Sequence, residues 1–295
     1  MLSILIPTKD YNCSRLVTSL HKQGEELDTP FEILIAEDGS SPKGIMLNKQ
    51  LALLPNCRII IIEKNMGRAS VRNLLAKEAQ YPNILFIDSD AIVEKDNFLK
   101  KYCEALSCND VVCGGLYHAQ EQPTNDCSLR YRYEKRADKR RSAAQRSLSP
   151  YDNFTTFNFA IRREVFLSTL FNEKITRYGY EDTLFGHNLR DKGIKIKHID
   201  NALLHTGLES NSVYLGKIEE SIRTLIEIRD EINETPLLRA AGKLEKAHCT
   251  RVVSGLWEIT NKTLKKNLLG ERPSLMILNI YKLGFFCYLL ARSQK

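Results

Sequence analysis

Ile84-Leu85-Phe86-Ile87-Asp88-Ser89-Asp90 is the stretch on which the fold turns: four apolar residues run straight into two carboxylates one residue apart. A short continuous apolar run of this kind fits a strand covered on both faces, as in a parallel sheet. Upstream, further strand-like runs at 3–6, 31–36 and 58–62 alternate with helical patterns near 14–23, 43–54 and 68–80. Downstream, a helical pattern near 96–107 leads to a strand at 111–113. Regular strand–helix alternation predicts a doubly wound, mainly parallel α/β sheet flanked by helices. Ligands of such sheets bind at the carboxyl ends of the strands. The turns at those ends are polar here: Thr8-Lys9-Asp10, Glu37-Asp38-Gly39-Ser40-Ser41, Asn65-Met66-Gly67-Arg68 and Asp88-Ser89-Asp90. All four are expected on one rim.

Beyond 113 the pattern loosens, then resumes with a strand at 157–161, a helix at 164–170 and a helix opened by Gly179-Tyr180-Glu181-Asp182 and stopped by Gly193. Short strands near 195–199 and 202–205 complete a domain spanning 1–210. From 211 to 295 the chain reads as a C-terminal helical extension, led by the amphipathic series Leu215, Ile218, Ile222, Leu225 and Ile226.

With 295 residues, 43% hydrophobic and 27% charged, the chain can bury a full core, and its net charge of +7 suggests an anionic partner without singling out nucleic acid. Eight cysteines without a CxxC pair read as reduced thiols of a cytoplasmic protein. The N-terminal apolar run lacks a basic leader and reads as the first strand, so export is not expected. Residues 130–146 carry eight Lys/Arg against Glu134 and Asp138, which fits either a solvated helix face or a basic patch for an acceptor or an anionic lipid. The apolar tail from Leu275 to Ala291, interrupted by Asn279 and Lys282, falls short of the roughly 20 residues of a spanning helix. It is expected to pack on the protein or a partner, or to lie peripherally on the inner membrane face, with Lys265, Lys266, Arg272, Arg292 and Lys295 around it.

Asp88 and Asp90 suit a hard divalent cation, which takes oxygen ligands and shares its remaining positions with water and substrate phosphates. Residues i and i+2 of an extended chain point the same way, so one carboxylate can hold the ion while the other reaches a neighbouring group. The turn at Glu37-Asp38 reads either as an acceptor for base or sugar donors or as an Asx turn.

Taken in order, Ser3-Ile4-Leu5-Ile6-Pro7-Thr8 with Tyr11-Asn12, Ala36-Glu37-Asp38-Gly39-Ser40, Asn65-Met66-Gly67 with Arg72-Asn73, Asp88-Ser89-Asp90 and Gly179-Tyr180-Glu181-Asp182 resemble the family 2 glycosyltransferases of GT-A fold over residues 1–205. The resemblance implies an inverting, nucleotide-sugar-dependent enzyme, as in bacterial surface polysaccharide synthesis, with Mn²⁺ or Mg²⁺ as cofactor. The donor, expected to be UDP-linked, would meet Pro7, Thr8, Asp38, Arg72, Asp88, Ser89 and Asp90. Asp90 would ligate the metal, joined by His205 where some members place a further ligand. Asp182 would be the catalytic base, ionised with help from its helix dipole. Asn158 and Glu181 would face the acceptor, a saccharide or lipid-linked one, or the sugar. The chain departs from the family pattern in reading Glu37-Asp38 where Asp-Asp is commoner, and in lacking a glycine before Asn158. Two other readings stand beside it: an aspartate-nucleophile phosphatase, suggested by the strand that leads into Asp88-Ser89-Asp90-Ala91-Ile92, and a non-catalytic nucleotide-binding scaffold. Donor sugar, linkage and oligomeric state are not legible.

Overall fold

The computed structural model describes residues 1–121, 124–232 and 235–293, and divides into two compact units. Lys295 of the expected basic ring lies outside the described residues.

The first unit comprises Met1–Ala119, Asp138–Thr176 and Glu181–Gly207. Its strands are β1 (Leu2–Thr8), β2 (Phe31–Asp38), β3 (Cys57–Ile62), β4 (Asn83–Ile87), β5 (Ala91–Ile92), β6 (Val111–Cys113), β7 (Leu116–His118), β8 (Asn158–Arg162), β9 (Ile196–His198) and β10 (Leu203–His205). Among the described residues seven of them form one sheet in the order β3-β2-β1-β4-β8-β6-β9. The pairs β1–β2, β2–β3, β1–β4 and β6–β9 are parallel, and β8 alone runs against both its neighbours. A mainly parallel sheet with one reversed strand is the expected α/β architecture. The short strands β5, β10 and β7 make a second, three-stranded sheet.

The core follows from strand geometry. Successive side chains alternate between faces, so Ile4 and Ile6 of β1 join one cluster and Leu5 the other. The first cluster is closed by α1 (Ser14–Glu25) through Leu16, Val17 and Leu20 and by α4 (Phe98–Leu106) through Phe98, Leu99 and Tyr102. The second is closed by α3 (Arg68–Glu78), α7 (Arg163–Thr169) and α8 (Glu181–Asp191) through Leu75, Phe166, Phe185 and Leu189. Phe86 of β4 sits 5.0 Å from both the Phe159 and Phe166 rings. Truncating such a buried ring to alanine costs about 3–5 kcal/mol. The helix expected at 43–54 is shorter, α2 (Pro42–Asn48) followed by a 3₁₀ stretch, Lys49–Leu53. Ser41 caps α2 by accepting from the Gly44 N–H, and Pro42 sits at its first turn, where a missing N–H is harmless.

The second unit comprises Gln120–Ala137, Arg177–Tyr180 and Leu208–Lys295. It contains nearly all of α5 (Ser128–Asp138), together with α9 (Asn211–Glu227), α10 (Pro236–Lys246), α11 (Thr250–Leu268) and α12 (Leu275–Ser293). Asn211 ties three segments of it together, accepting from the Leu129 N–H and donating to the Ser128 hydroxyl and the Gly270 carbonyl. On α12, Leu278, Tyr281, Phe285, Phe286 and Leu290 are buried, and Trp257 of α11 packs against Tyr281, Phe285 and Tyr288. Gly284 makes room for that indole, since a Cβ there would lie 2.4 Å from it. The window Leu275–Arg292 does reach the length and mean hydropathy, 1.4, of a crossing helix, contrary to the shorter reading above. With 39% of the window buried, its length and hydropathy are equally those of a core helix.

Candidate active site

Three acidic loops meet the rim of the sheet in different ways. After β2, Glu37 is fully buried and spends both oxygens inside the protein, accepting from Asn48 Nδ2 at 2.7 Å and from the Ser40 hydroxyl at 2.5 Å. Glu37 therefore shapes the turn, with Gly39 at φ +67° completing it. Asp38 accepts from the Met66 and Gly67 N–H groups at 2.7 and 3.2 Å, and Asn65 donates to its carbonyl. One accepted bond on each oxygen leaves the carboxylate with free lone pairs. Beside it, Thr8 is buried with its hydroxyl 3.4 Å from the Tyr11 carbonyl, and Pro7 is half-buried. Asp10 is held low by the Ser41 hydroxyl and then by the Ser41 N–H, both donated to its carboxylate.

The loop anchored by Asp38 opens α3, which presents two arginines. Arg72 is almost wholly buried and donates through Nη2 to Asp88 Oδ1 at 2.7 Å. Arg68 Nη1 stands 3.8 Å from Glu181 Oε1. Both guanidinium charges also act on Asp182. Arg72 thus sits behind Asp88 and Asp182 as a shared counter-charge. Arg72, expected near the nucleotide or its phosphates, here has one guanidinium nitrogen bonded to the Asp88 carboxylate. Asp88, bonded to it, is also poorly placed to act as the nucleophile of a phosphatase.

Asp182 lies one residue into α8, preceded by two residues with positive φ, Gly179 at +103° and Tyr180 at +67°. Its Oδ1 accepts the Thr183 N–H at 2.8 Å. The helix dipole was expected to keep it readily ionised, but the net effect is the opposite. Burial, and next the adjacent Glu181 carboxylate, push its pKa up to about 6, outweighing the Thr183 bond and the two arginines. A carboxylate in that range is a stronger base while remaining ionised at neutral pH.

Asp90 is placed by strand register. β10 pairs antiparallel with β5, setting His205 opposite Ala91, the residue after Asp90. His205 Nε2 consequently lies 3.0 Å from Asp90 Oδ2. The Asp90 carbonyl accepts from both the hydroxyl and the N–H of Thr206, and Gly207 leaves space that a Cβ would fill, 2.0 Å from Oδ2. Asp88 and Asp90, one residue apart, therefore diverge, the first to Arg72 and the second to His205. Ser89 between them is half-buried.

One feature was missed in the sequence. β10 also pairs with β7, in a register that sets His205 beside His118. His118 Nε2 is 3.0 Å from His205 Nδ1, and His118 Nδ1 is 3.1 Å from Asp138 Oδ1. Burial raises the Asp138 carboxyl, but bonds and charge from His118 and Arg141 prevail and hold it low. No spacing signal marks such a pair, since 87 residues separate the rings.

Two expectations fail on burial. Asn158 is fully buried, its amide donating to the Gly115 and Asn201 carbonyls and its Oδ1 accepting the Tyr102 hydroxyl at 2.5 Å. It braces β8 and cannot meet an acceptor or sugar. Arg146 of α6 (Ala143–Ser147), counted in the basic segment, is buried and donates to the carbonyls of Cys113, Gly114, Arg141 and Ile199. Glu181 is also buried, at 8% exposure, and faces Arg68.

Among the described residues no three His, Cys, Asp or Glu side chains gather as a ready-made ion site. The Asp90 carboxylate and the His205 ring are nevertheless donor types that would suit a divalent cation.

Chondroitin synthase of Pasteurella multocida is 26% identical over 291 residues, 80% of this chain and 29% of that protein. The chain thus spans less than a third of the length of the curated relatives it matches. Among solved structures, a mannosyltransferase from Pyrobaculum calidifontis, in complex with GDP-Man and Mn²⁺, aligns over 99% of this chain and 86% of its own with a TM-score of 0.59 at 11% identity. Residues 1–349 of Staphylococcus aureus TarS, in complex with UDP-GlcNAc, align over 100% of this chain and 92% of their own at 0.52 and 14% identity. These likenesses show the GT-A fold. The glycosyl transferase family 2 model matches residues 3–170, more than half of the chain, and the protein belongs to that family.

Proposed function

We propose that this chain transfers a sugar, with inversion, from a nucleoside diphosphate sugar to an acceptor hydroxyl on a saccharide or lipid-linked saccharide. The observation that carries the reading is the shared counter-charge: Arg72 is bonded to Asp88 and acts on Asp182, so the donor-side loop and the proposed base belong to one electrostatic unit.

In this reading Asp182 takes the proton from the acceptor hydroxyl as its oxygen attacks the anomeric carbon, while the bond to the diphosphate breaks on the opposite face. Positioned proton removal of this kind is worth about 10²–10⁴-fold in rate. Asp38, with lone pairs to spare, accepts from a base N–H, and Pro7 and Thr8 pack beside it; a uridine donor suits that acceptor. Asp88 and Ser89 face the ribose side, with Arg72 fixing the carboxylate. Asp90 and His205 would hold Mn²⁺ or Mg²⁺, which when bound neutralises charge on the leaving diphosphate.

The two-unit division supports a catalytic portion resembling the expected 1–210 domain and a separate helical portion. Exposed Met276 and Ile280 on α12 support peripheral contact with a membrane surface. Liposome sedimentation of the Met276→Glu/Ile280→Glu chain should show weaker retention than the native chain.

The decisive experiment is a screen of sugar nucleotides with Mn²⁺, scoring free nucleoside diphosphate and thermal shift. A donor that stabilises the chain and releases diphosphate in an Asp182-dependent manner supports transfer. Binding with no release, with or without saccharide acceptors, would leave only a scaffold.

A further inference from the structure

The outward face of α11 is apolar where a surface helix is normally polar. Its inner face already has partners, with Trp257 packed on α12 and Ser254 and Leu268 buried. On the opposite side Val252, Leu256 and Ile259 are 63%, 58% and 80% exposed. At spacings of four and three residues these side chains are neighbours along the helix, so they make one continuous stripe. Apolar residues scattered singly over a surface need no explanation, whereas a contiguous patch marks an interaction surface. One flank of the stripe has an order of its own: Arg251, Gly255 and Glu258 follow at i, i+4 and i+7. Arg251 and Glu258 are both exposed, and neither joins an ion pair within the described residues. Glycine weakens a helix interior, and Gly284 is there because a Cβ would strike Trp257. Gly255 has no such reason, since a Cβ on it would meet nothing within 4 Å. The packing of the single chain does not call for a glycine at that position.

The pattern is self-complementary. In a two-fold contact a patch meets its own copy, each residue finding the partner that its equivalent finds on the other side. Laid antiparallel about Gly255, the flank sets Arg251 of one copy against Glu258 of the other, and the reverse, with the two glycines between them. Val252 then meets Ile259 across the apolar layer. A parallel pairing would oppose Arg251 to Arg251 and Glu258 to Glu258. Lys262 and Lys266, farther along α11, run past the start of the other copy's helix at Thr250 and do not face each other. An anionic lipid surface fits this face less well, because Glu258 would be repelled from it. We propose that the outward face of α11 binds a second copy of this chain, through an antiparallel two-fold contact of Val252, Gly255, Leu256 and Ile259 flanked by reciprocal Arg251–Glu258 pairs. The helices overlap over about eleven residues, roughly 16 Å at 1.5 Å per residue. Contacts of that extent fall among the small interfaces of weak, transient complexes, so the dimer is reversible. The inference stands apart from sugar transfer and does not depend on it.

Sedimentation equilibrium of the full chain over a range of concentrations reads the association directly. The average mass should climb from the 33.8 kDa of one chain toward twice that value as concentration rises. Glu258→Arg sets like charges against each other at both ends and should raise the dissociation constant about tenfold, each exposed pair being weak by itself. Arg251→Glu combined with Glu258→Arg reverses both signs and should restore the native constant, a rescue that a reciprocal antiparallel pairing gives. Leu256→Glu should leave a monomer. Gly255→Leu should do the same by holding the helices apart, although its side chain has open space in the single chain. Because all these positions face outward, melting temperatures should hold, and the two charge variants keep the test readable if either of the others does not fold. A native chain that stays monomeric at every concentration, a dimer indifferent to folded Leu256→Glu, or a double charge variant no tighter than Glu258→Arg would overturn the proposal. Retention of the native chain, but not of folded Leu256→Glu, on vesicles of phosphatidylserine and phosphatidylcholine would also overturn it, by giving the face to lipid.

Discussion

Asp182 and Asp90 are the same side chain held in two different surroundings. Asp182 stands at a helix start, crowded by burial and by Glu181, and is made reluctant to lose its proton. Asp90 sits in a loop clamped between β4 and β5, with a histidine facing it and a glycine giving it room. Carboxylates in such different settings are how one site could hold both a base and an ion ligand. Helix position alone predicts a readily ionised Asp182, whereas burial and the neighbouring Glu181 carboxylate raise its pKa to about 6.

The most damaging change should be Asp182→Asn, which keeps shape and removes basicity. The transfer rate should fall about 10²–10⁴-fold while donor affinity, read by calorimetry, holds. An equal collapse of donor binding would merge the two carboxylates into one role. Asp90→Ala should next abolish the dependence of donor binding on Mn²⁺, and unchanged metal dependence would remove Asp90 from the ion site. Gly207→Ala is a subtler form of the same test, since its Cβ would meet Asp90 Oδ2 at 2.0 Å. The carboxylate must shift, and Mn²⁺ stimulation should drop without loss of the rate limb set by Asp182.

The smallest effect concerns pH. A base must be ionised, so kcat/KM should decline as pH falls through about 6. Glu181→Gln removes the second cause of the raised value, and the limb should move down toward the ordinary carboxylate range. A limb that stays put would assign the shift to burial alone. Sign matters for stability too: the folded chain holds this proton more tightly than the unfolded one, so the group disfavours folding as pH climbs toward that value.

The sheet was readable because each apolar run was short, ended in a polar turn and alternated with a helical pattern. The reversal of β8 was not, since an antiparallel strand buried on both faces looks like a parallel one. Asp88-Ser89-Asp90 and Glu181-Asp182 could be found because their members are neighbours in sequence. The meeting of His118 with His205 could not, for it depends on register between three-residue strands, and Asp138 and Arg141 reach His118 from outside them. Asn158 and Arg146 misled in the same way: a polar residue in a sequence does not say whether it serves a ligand or its own backbone, and here both are consumed by carbonyls.

The ribbon formed by β5, β10 and β7 has two- and three-residue strands, so few ladder bonds hold it. Short ladders open locally at little free-energy cost. Because Asp90, His118 and His205 all hang from that ribbon, its fraying would disperse them together, and its annealing would gather them. Slowed amide hydrogen exchange at positions 92, 117 and 204 on addition of a donor would record that gathering in three places far apart along the chain.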